Sequence, residues 1–180
     1  RMHAPTEGPP ETEAPGELHL GRHPDLSPCT AFSVLLHCFG RFFKNLEGLL
    51  KTGRRLAVIA ALVAFKQMDG NRHSICENPA ASRLWMEKLG RQVLLHNRVA
   101  VSVVDQCAYG LVCPQGTPIR KATQFVASDN RLLYFLDRRC PGHPEHQRVK
   151  GRVFDNVRQK FVSISKWSQV WPRPLCRAIA

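Results

Sequence analysis

Residues 73–104, HSICENPAASRLWMEKLGRQVLLHNRVAVSVV, decide the fold class of this 180-residue chain. The stretch opens with a short apolar strand that Pro79 ends, because proline has no N–H for a strand ladder. Ser82 can cap a helix that runs to about His96, since apolar residues recur there at helical spacing. The β-branched run Val99–Val104 is typical of a strand buried on both faces. This order of elements predicts an α/β domain with a mostly parallel sheet.

Further elements are predicted on both sides of this unit. Residues 41–68 have apolar residues at helical spacing, with a break at Gly53. The run Leu56–Phe65 is about half as long as a bilayer span, so it predicts a buried helix and no membrane anchor. Strands are predicted at Thr123–Ala127 and Leu132–Leu136.

The chain divides into three parts. Residues 1–18 are rich in proline and glutamate and are predicted to be disordered. Residues 19–165 form the α/β domain, which is long enough to bury a core. Residues 166–180 are a tail in which Trp167 and Trp171 are interpreted as packing groups.

Charge and cysteine content indicate the partner and the compartment. The net charge is +12, and residues 1–17 contain one arginine and four glutamates, which leaves +15 on the remainder. A basic body of this kind favours polyanions, of which nucleic acid is the commonest, and the alternative from charge alone is a merely soluble basic protein. The seven cysteines are odd in number and follow no signal peptide, which predicts reduced thiols in a nuclear or cytoplasmic protein.

Two short segments suggest a reaction. Residues 28–33 read PCTAFS and contain Cys29, and residues 77–79 read ENP at the end of a predicted strand. A thiolate can add to C6 of a pyrimidine while a carboxyl group holds ring N3 and the exocyclic amine. A short strand is also predicted at Leu18–Leu26, so Cys29 and Glu77 both lie where predicted strands end. The chemistry of α/β sheets gathers at the carboxyl ends of strands.

Three segments together resemble the DNA cytosine-5 methyltransferase family, in the family's order. Residues 27–33 (SPCTAFS) resemble the Pro-Cys-Gln-x-Phe-Ser loop, and residues 73–79 resemble the Glu-Asn-Val motif with proline in place of valine. Residues 108–125 resemble parts of the Tyr-Gly-Val-Pro-Gln-Arg-Arg-x-Arg segment. The Glu-Asn-Pro form followed by residues 82–85 (SRLW) is also similar to methylase-like segments of phage and mobile-element polyproteins. The resemblance spans about residues 24–128.

The resemblance implies a role for each matching residue. Cys29 is the nucleophile, Glu77 holds N3 and N4 of the cytosine, and Asn78 supports the nucleophile loop. Ser33 of the same loop is assigned to substrate binding.

The third motif departs from the family. Its glutamine falls on Ile119, its first arginine on Lys121 and its second on Thr123. Arg120 and Lys121 are therefore the candidate substrate-binding cations.

The resemblance also implies S-adenosylmethionine as cofactor. The family binds it with a Phe-x-Gly-x-Gly loop before the nucleophile, but only 28 residues precede Cys29 and none of them reads Gly-x-Gly. The expected fold is therefore a partial Rossmann-like methyltransferase fold that lacks the N-terminal cofactor-binding half. We do not expect such a fragment to methylate DNA alone.

Other functions remain open. The basic surface also suits a non-enzymatic nucleic-acid-binding remnant of a mobile element. A cysteine hydrolase ranks last, because His37 and His73 are available to Cys29 but no hydrolase motif surrounds it. The oligomeric state stays undetermined.

A metal site is considered and not assigned. Cys140, His143 and His146 are residue types that bind zinc, but a fourth ligand is missing from the motif. Cys107 or Cys113 would complete the set only if the fold brought one of them close. The sequence favours a plain basic loop.

Overall fold

A computed structural model describes residues 31–32 and 45–180, so segment 1–18, Cys29 and Ser33 lie outside the described residues. The described chain mixes helices with strands, as predicted for its α/β class. Its helices and strands, in chain order, are α1 (Leu46–Asp69), β1 (Ile75–Pro79), α2 (Lys88–Leu94), β2 (Ala100–Asp105), β3 (Ile119–Arg120), β4 (Ala122–Ala127), β5 (Gln147–Arg148), β6 (Arg152–Asp155), β7 (Lys160–Ser163), α3 (Ile164–Trp167) and α4 (Arg173–Ile179). Short 3₁₀ helices span Arg83–Met86, Gln106–Tyr109 and Asn130–Leu133.

The main sheet has three strands in the order β1-β4-β2, and β4 is antiparallel to both neighbours. The prediction of a mostly parallel sheet is therefore wrong for this sheet. A strand that pairs in parallel with the preceding strand needs a crossover connection, usually a helix, that carries the chain back to the end of the sheet where the preceding strand began. Residues 106–121 contain a 3₁₀ helix and an antiparallel bridge between Val112 and Pro118. The chain therefore turns back at the edge where β2 ends.

This topology places three strand ends at one edge. Since β1 and β2 are both antiparallel to β4, they run in the same direction as each other. The carboxyl ends of β1 and β2 consequently lie on either side of the amino end of β4. We call this edge, made by residues 77–79, 105–107 and 120–122, the site edge.

Both faces of the main sheet are covered, as the packing of the β4 side chains shows. Side chains alternate along a strand, so Phe125 and Ala127 face one way and Val126 the other. Phe125 and Ala127 pack with Leu136 and with Leu175 of α4. On the opposite face, Val126 packs with one residue from each of α1 and α2, namely Ala61 and Val93. The predicted tail, 166–180, thus contributes Leu175 to the main core.

Helix α1 is continuous where a break was predicted. Asn45 caps it by accepting a hydrogen bond from the N–H of Gly48 at 3.1 Å. Gly53 lies inside the helix, and a Cβ added there would approach the Cβ of Ala31 to 2.1 Å. The glycine therefore serves a close contact with residues 31–32 and does not interrupt the helix.

The apolar run within α1 is only half buried. Ala61, Ala64 and Met68 face the protein, whereas Ile59 and Leu62 are 57% and 56% exposed. The prediction of a buried helix is therefore wrong for the outer face of α1, because only one face of a helix at the surface can pack against the sheet. No helix among the described residues is long and apolar enough to cross a bilayer.

Two other predicted elements differ in detail. The predicted helix after Ser82 is divided into a 3₁₀ helix and α2 by Glu87, which has an extended backbone. A Cβ at Gly90 would lie 2.1 Å from the carbonyl oxygen of Leu84. The two helices therefore approach each other more closely than a residue with a side chain at position 90 would allow. Residues Leu132–Leu136, which were predicted to form a strand, do not form one. The first two of them belong to the 3₁₀ helix Asn130–Leu133, which Asp129 caps.

The chain after the site edge forms a smaller layer. Leu111, Cys113, Ile119 and Ile164 build a second apolar cluster. β6 and β7 form an antiparallel pair beside it, and β3 and β5 form a two-residue parallel pair. Lys121 joins this layer to the site edge by donating a hydrogen bond from Nζ to the carbonyl oxygen of Ser168 at 2.6 Å.

The contact at Gly53 gives a first prediction. We expect Gly53→Ala to lower the free energy of unfolding, because a side-chain collision costs about 1–3 kcal/mol. That cost outweighs the helix propensity gained, roughly 1 kcal/mol. Adding Ala31→Gly should recover stability, since the Cβ of Ala31 is the atom that the new methyl group meets. Urea unfolding of the two single variants and the double variant measures the effect. Stabilisation by Gly53→Ala alone would contradict it.

Candidate functional site

Predicted site residues converge at the site edge. Glu77 and Asn78 are the last residues of β1 before Pro79, and Lys121 immediately precedes β4. Burial raises the pKa of the Glu77 carboxyl above its usual range, and the Lys121 cation opposes that shift. The half-buried carboxyl and this cation therefore interact electrostatically. Arg120 is exposed at the same edge.

Two buried amides lie at the same edge. Asn78 is 3% exposed and Gln106 is fully buried. The Gln106 amide nitrogen donates to Thr123 Oγ1 at 2.8 Å. The side-chain oxygens Asn78 Oδ1 and Gln106 Oε1 are buried and have no hydrogen-bond partner among the described residues. An unpaired buried acceptor costs about 1–3 kcal/mol, so the site edge carries unused hydrogen-bonding capacity.

Residues 31–32 dock beside the end of β1. Ala31 and Phe32 are each 1% exposed. The Phe32 carbonyl oxygen accepts hydrogen bonds from the Arg83 N–H at 3.1 Å and from the Ser82 hydroxyl at 3.4 Å. Trp85 holds the same turn by donating from Nε1 to the Pro79 carbonyl oxygen at 3.1 Å. The chain flanking the candidate nucleophile is thus attached to the segment that follows Asn78.

A second group of reactive side chains lies just beyond β2. Cys107, Cys140, His143 and His146 each have a possible ligand atom, and these atoms all lie within 4.8 Å of one another. Cys140 Sγ is 3.3 Å from His146 Nε2. Cys107 is buried and the other three are half-buried. Of the two cysteines that the sequence offered as a fourth ligand, the fold brings Cys107 to the other three residues.

The thiols of this group differ in acidity. Burial, together with a hydrogen bond to Cys140, raises the pKa of Cys107 to about 11. The backbone N–H groups of His143 and Gly142 lower the pKa of Cys140. The shared contact accounts for part of both shifts, because it favours a neutral Cys107 beside an anionic Cys140.

A basic cleft opens on the smaller layer. It encloses about 730 Å³ between the turn after the site edge and the β6–β7 pair. Its basic side chains are Arg152, Arg158, Lys160 and Lys166, and its aromatic ones are Phe161, Trp167 and Trp171. None of the described residues that line the cleft is acidic.

The described residues do not fit the implied S-adenosylmethionine. Gly110 and Gly116, the glycines nearest the site edge, belong to a 3₁₀ C-cap and a turn rather than to a Gly-x-Gly loop between strand and helix. We therefore assign no residue of the described chain to this cofactor.

No family model, curated protein or solved structure matches this chain.

Sequence reasoning missed Gln106, and it left open whether Cys107 or Cys113 completes the metal-ligand set. Gln106 and Cys107 both follow β2 closely, so the rule that functional groups gather at strand ends was the signal available for them. The cleft gave no such signal, because its lining comes from separate parts of residues 110–172.

The buried carboxyl gives a prediction about pH. A raised carboxyl pKa means that the folded state binds more protons than the unfolded chain, so stability falls as pH rises through the folded-state pKa. Glutamine mimics the neutral acid. Glu77→Gln should therefore match the wild type below the ordinary carboxyl pKa and become increasingly more stable than it towards neutral pH.

Urea unfolding from about pH 4 to about pH 8 measures this difference. Glu47→Gln, at an exposed position of α1, is the matched control and should show no such rise. A constant difference between Glu77→Gln and the wild type across this range would contradict the prediction.

Proposed function

We propose that the chain is the base-binding part of a DNA cytosine-5 methyltransferase-like domain, with Cys29 as nucleophile. The observation that carries the proposal is the convergence of Glu77, Asn78 and Lys121 at one sheet edge. Glu77 and Lys121 are 44 positions apart in the sequence, and they come from segments that resemble the family motifs in order, with Lys121 in place of an arginine.

The docking of Phe32 supports the place of Cys29 in this arrangement. Three residues of chain reach at most about 11 Å, so Cys29 is tethered within that distance of Phe32. Phe32 in turn is hydrogen-bonded to the segment that follows Asn78. The unused Asn78 Oδ1 is available to a backbone N–H of the nucleophile loop.

The electrostatics of the site edge suit the addition step. When the thiolate bonds to C6, electrons move towards C5 and N3, and an acid that donates to N3 favours this shift. The raised pKa of Glu77 favours the protonated form that can donate. Lys121 places a cation at the edge where negative charge develops.

A hydrogen-exchange experiment tests the addition step without a cofactor. The Cys29 thiolate bonds to C6, a solvent proton adds at C5, and reversal expels the original C5 hydrogen and the thiolate. Single-stranded DNA containing [5-³H]cytosine should therefore release tritium to water, and it avoids the cost of unstacking a duplex.

Cys29→Ser should abolish the release and Glu77→Gln should reduce it at least about 100-fold, the lower range for a general acid. Cys176→Ser removes an exposed thiol elsewhere and is the matched control. Saturating DNA that retains its tritium, or release that survives Cys29→Ser, would contradict the proposal.

The basic cleft favours a second candidate function, the binding of nucleic acid without catalysis. Cations attract the phosphate backbone and aromatic rings stack with bases, which is the combination that single-strand binding proteins use. Arg158 lies 5.5 Å from the centre of the Trp167 ring, and Arg152 lies 6.0 Å from that of Phe161. Cation and aromatic ring are thus paired twice along the cleft.

Salt dependence tests this function. Each phosphate contact to single-stranded DNA contributes a slope of about −0.7 to the plot of log affinity against log salt. Replacing Arg158 and Lys160 by glutamine should flatten the slope by about 1.4, as measured by fluorescence anisotropy. The same change at Lys88 and Arg91, exposed residues of α2 outside the cleft, should leave the slope unchanged. Equal effects of the two pairs would argue against the cleft.

A further inference from the structure

We propose that Cys107, Cys140, His143 and His146 bind one zinc ion, which holds residues 137–147 against the end of β2. Two thiolates and two imidazoles are a ligand set typical of structural zinc. This proposal does not depend on the methyltransferase assignment. Cys107 lies at the site edge, but none of the four ligands is a residue to which that assignment gives a role.

Hydrogen bonds between β2 and residues 136–140 bring the ligands together without an ion. The segment before Cys140 runs along the free side of β2, where the Ser102 hydroxyl donates to the Leu136 carbonyl oxygen. The N–H of Asp105 donates to the Arg138 carbonyl oxygen at 3.0 Å. Asp105 Oδ2 then accepts from the N–H of Cys140 at 2.9 Å. Since Cys107 is two residues after Asp105, the two thiols meet.

The turn at 140–143 directs its ligands to one point. Gly142 has φ +92°, a left-handed conformation that glycine adopts without strain. The N–H of Gly142 donates a hydrogen bond to Cys140 Sγ at 3.4 Å. Backbone N–H groups that donate to sulfur stabilise the thiolate, which is the form that binds a metal.

The two imidazoles supply the other half of the set. Zinc bonds of about 2.3 Å to sulfur and about 2.0 Å to nitrogen put these atoms about 3.6 Å apart in a tetrahedron. The 3.3 Å between Cys140 Sγ and His146 Nε2 is close to that value. His143 Nε2 is buried without a hydrogen-bond partner among the described residues. A metal ion would satisfy this nitrogen.

The structure also decides which cysteine is the fourth ligand. Cys113, the alternative in the sequence, is buried in the separate cluster of Leu111, Ile119 and Ile164. Among the cysteines that the structure describes, Cys107 is the one that joins the His and Cys ligands of the 140–146 loop. Four protein ligands leave no open position, so the zinc has a structural and not a catalytic role.

Metal analysis of the purified chain tests the proposal. We expect one zinc per chain by mass spectrometry of the metal content, with the zinc lost in Cys107→Ala and in His146→Ala. Cys113→Ala is the matched control, a buried cysteine outside the cluster, and should retain the zinc. A zinc chelator should lower the melting temperature of the wild type and leave that of His146→Ala unchanged.

Cobalt gives a readout that does not require every variant to fold. Replacing zinc with Co²⁺ in the wild type should produce thiolate-to-cobalt charge-transfer absorption and the intense visible bands of tetrahedral cobalt. His146→Ala, a half-buried loop position, should weaken both. A chain that binds neither zinc nor cobalt, or a metal that is retained in both Cys107→Ala and His146→Ala, would overturn the proposal.

Discussion

The hydrogen bonding of β4 to a strand on each side is the interaction on which the rest of the structure depends. It pairs with five residues of β1 and six of β2, and among the described residues β1 has no other strand partner. Because β4 runs against both neighbours, its first residues meet the last residues of β1 and β2. This one arrangement determines the positions of Glu77, of Lys121 and of the turn that carries Cys107.

Local patterns in the sequence were sufficient to locate the strands of the main sheet. Proline ended β1 and a β-branched run marked β2, and both signals depend only on neighbouring residues. The direction of β4 was not accessible in the same way. It depends on how the chain between β2 and β4 turns, and Gly110 and Gly116 within that segment are compatible with either outcome. Gly53 shows the same limit, since its propensity to break a helix is a local property and its contact with Ala31 is not.

The same distinction between local sequence patterns and tertiary contacts applies to the candidate sites. Glu77, Asn78 and Lys121 were found because they belong to recognisable motifs at strand ends. Cys140, His143 and His146 were found because they are close in sequence. Cys107 lies 33 positions before Cys140, and only the hydrogen bonds between β2 and the Leu136–Cys140 segment bring it into range. Contacts of that kind arise from tertiary structure, which residue spacing does not encode.

The separation of Cys107 from Cys140 has a consequence for how the sheet unfolds. β3 and β4 lie entirely between the two cysteines, so a zinc ion that bridges them would enclose the central strand in a closed loop. By the chain-entropy description of cross-links, a loop of this length removes about 3–4 kcal/mol of conformational freedom from the unfolded chain. The ion would thus stabilise β4 without touching it. Loss of the metal would then lower the free energy of unfolding of the whole sheet.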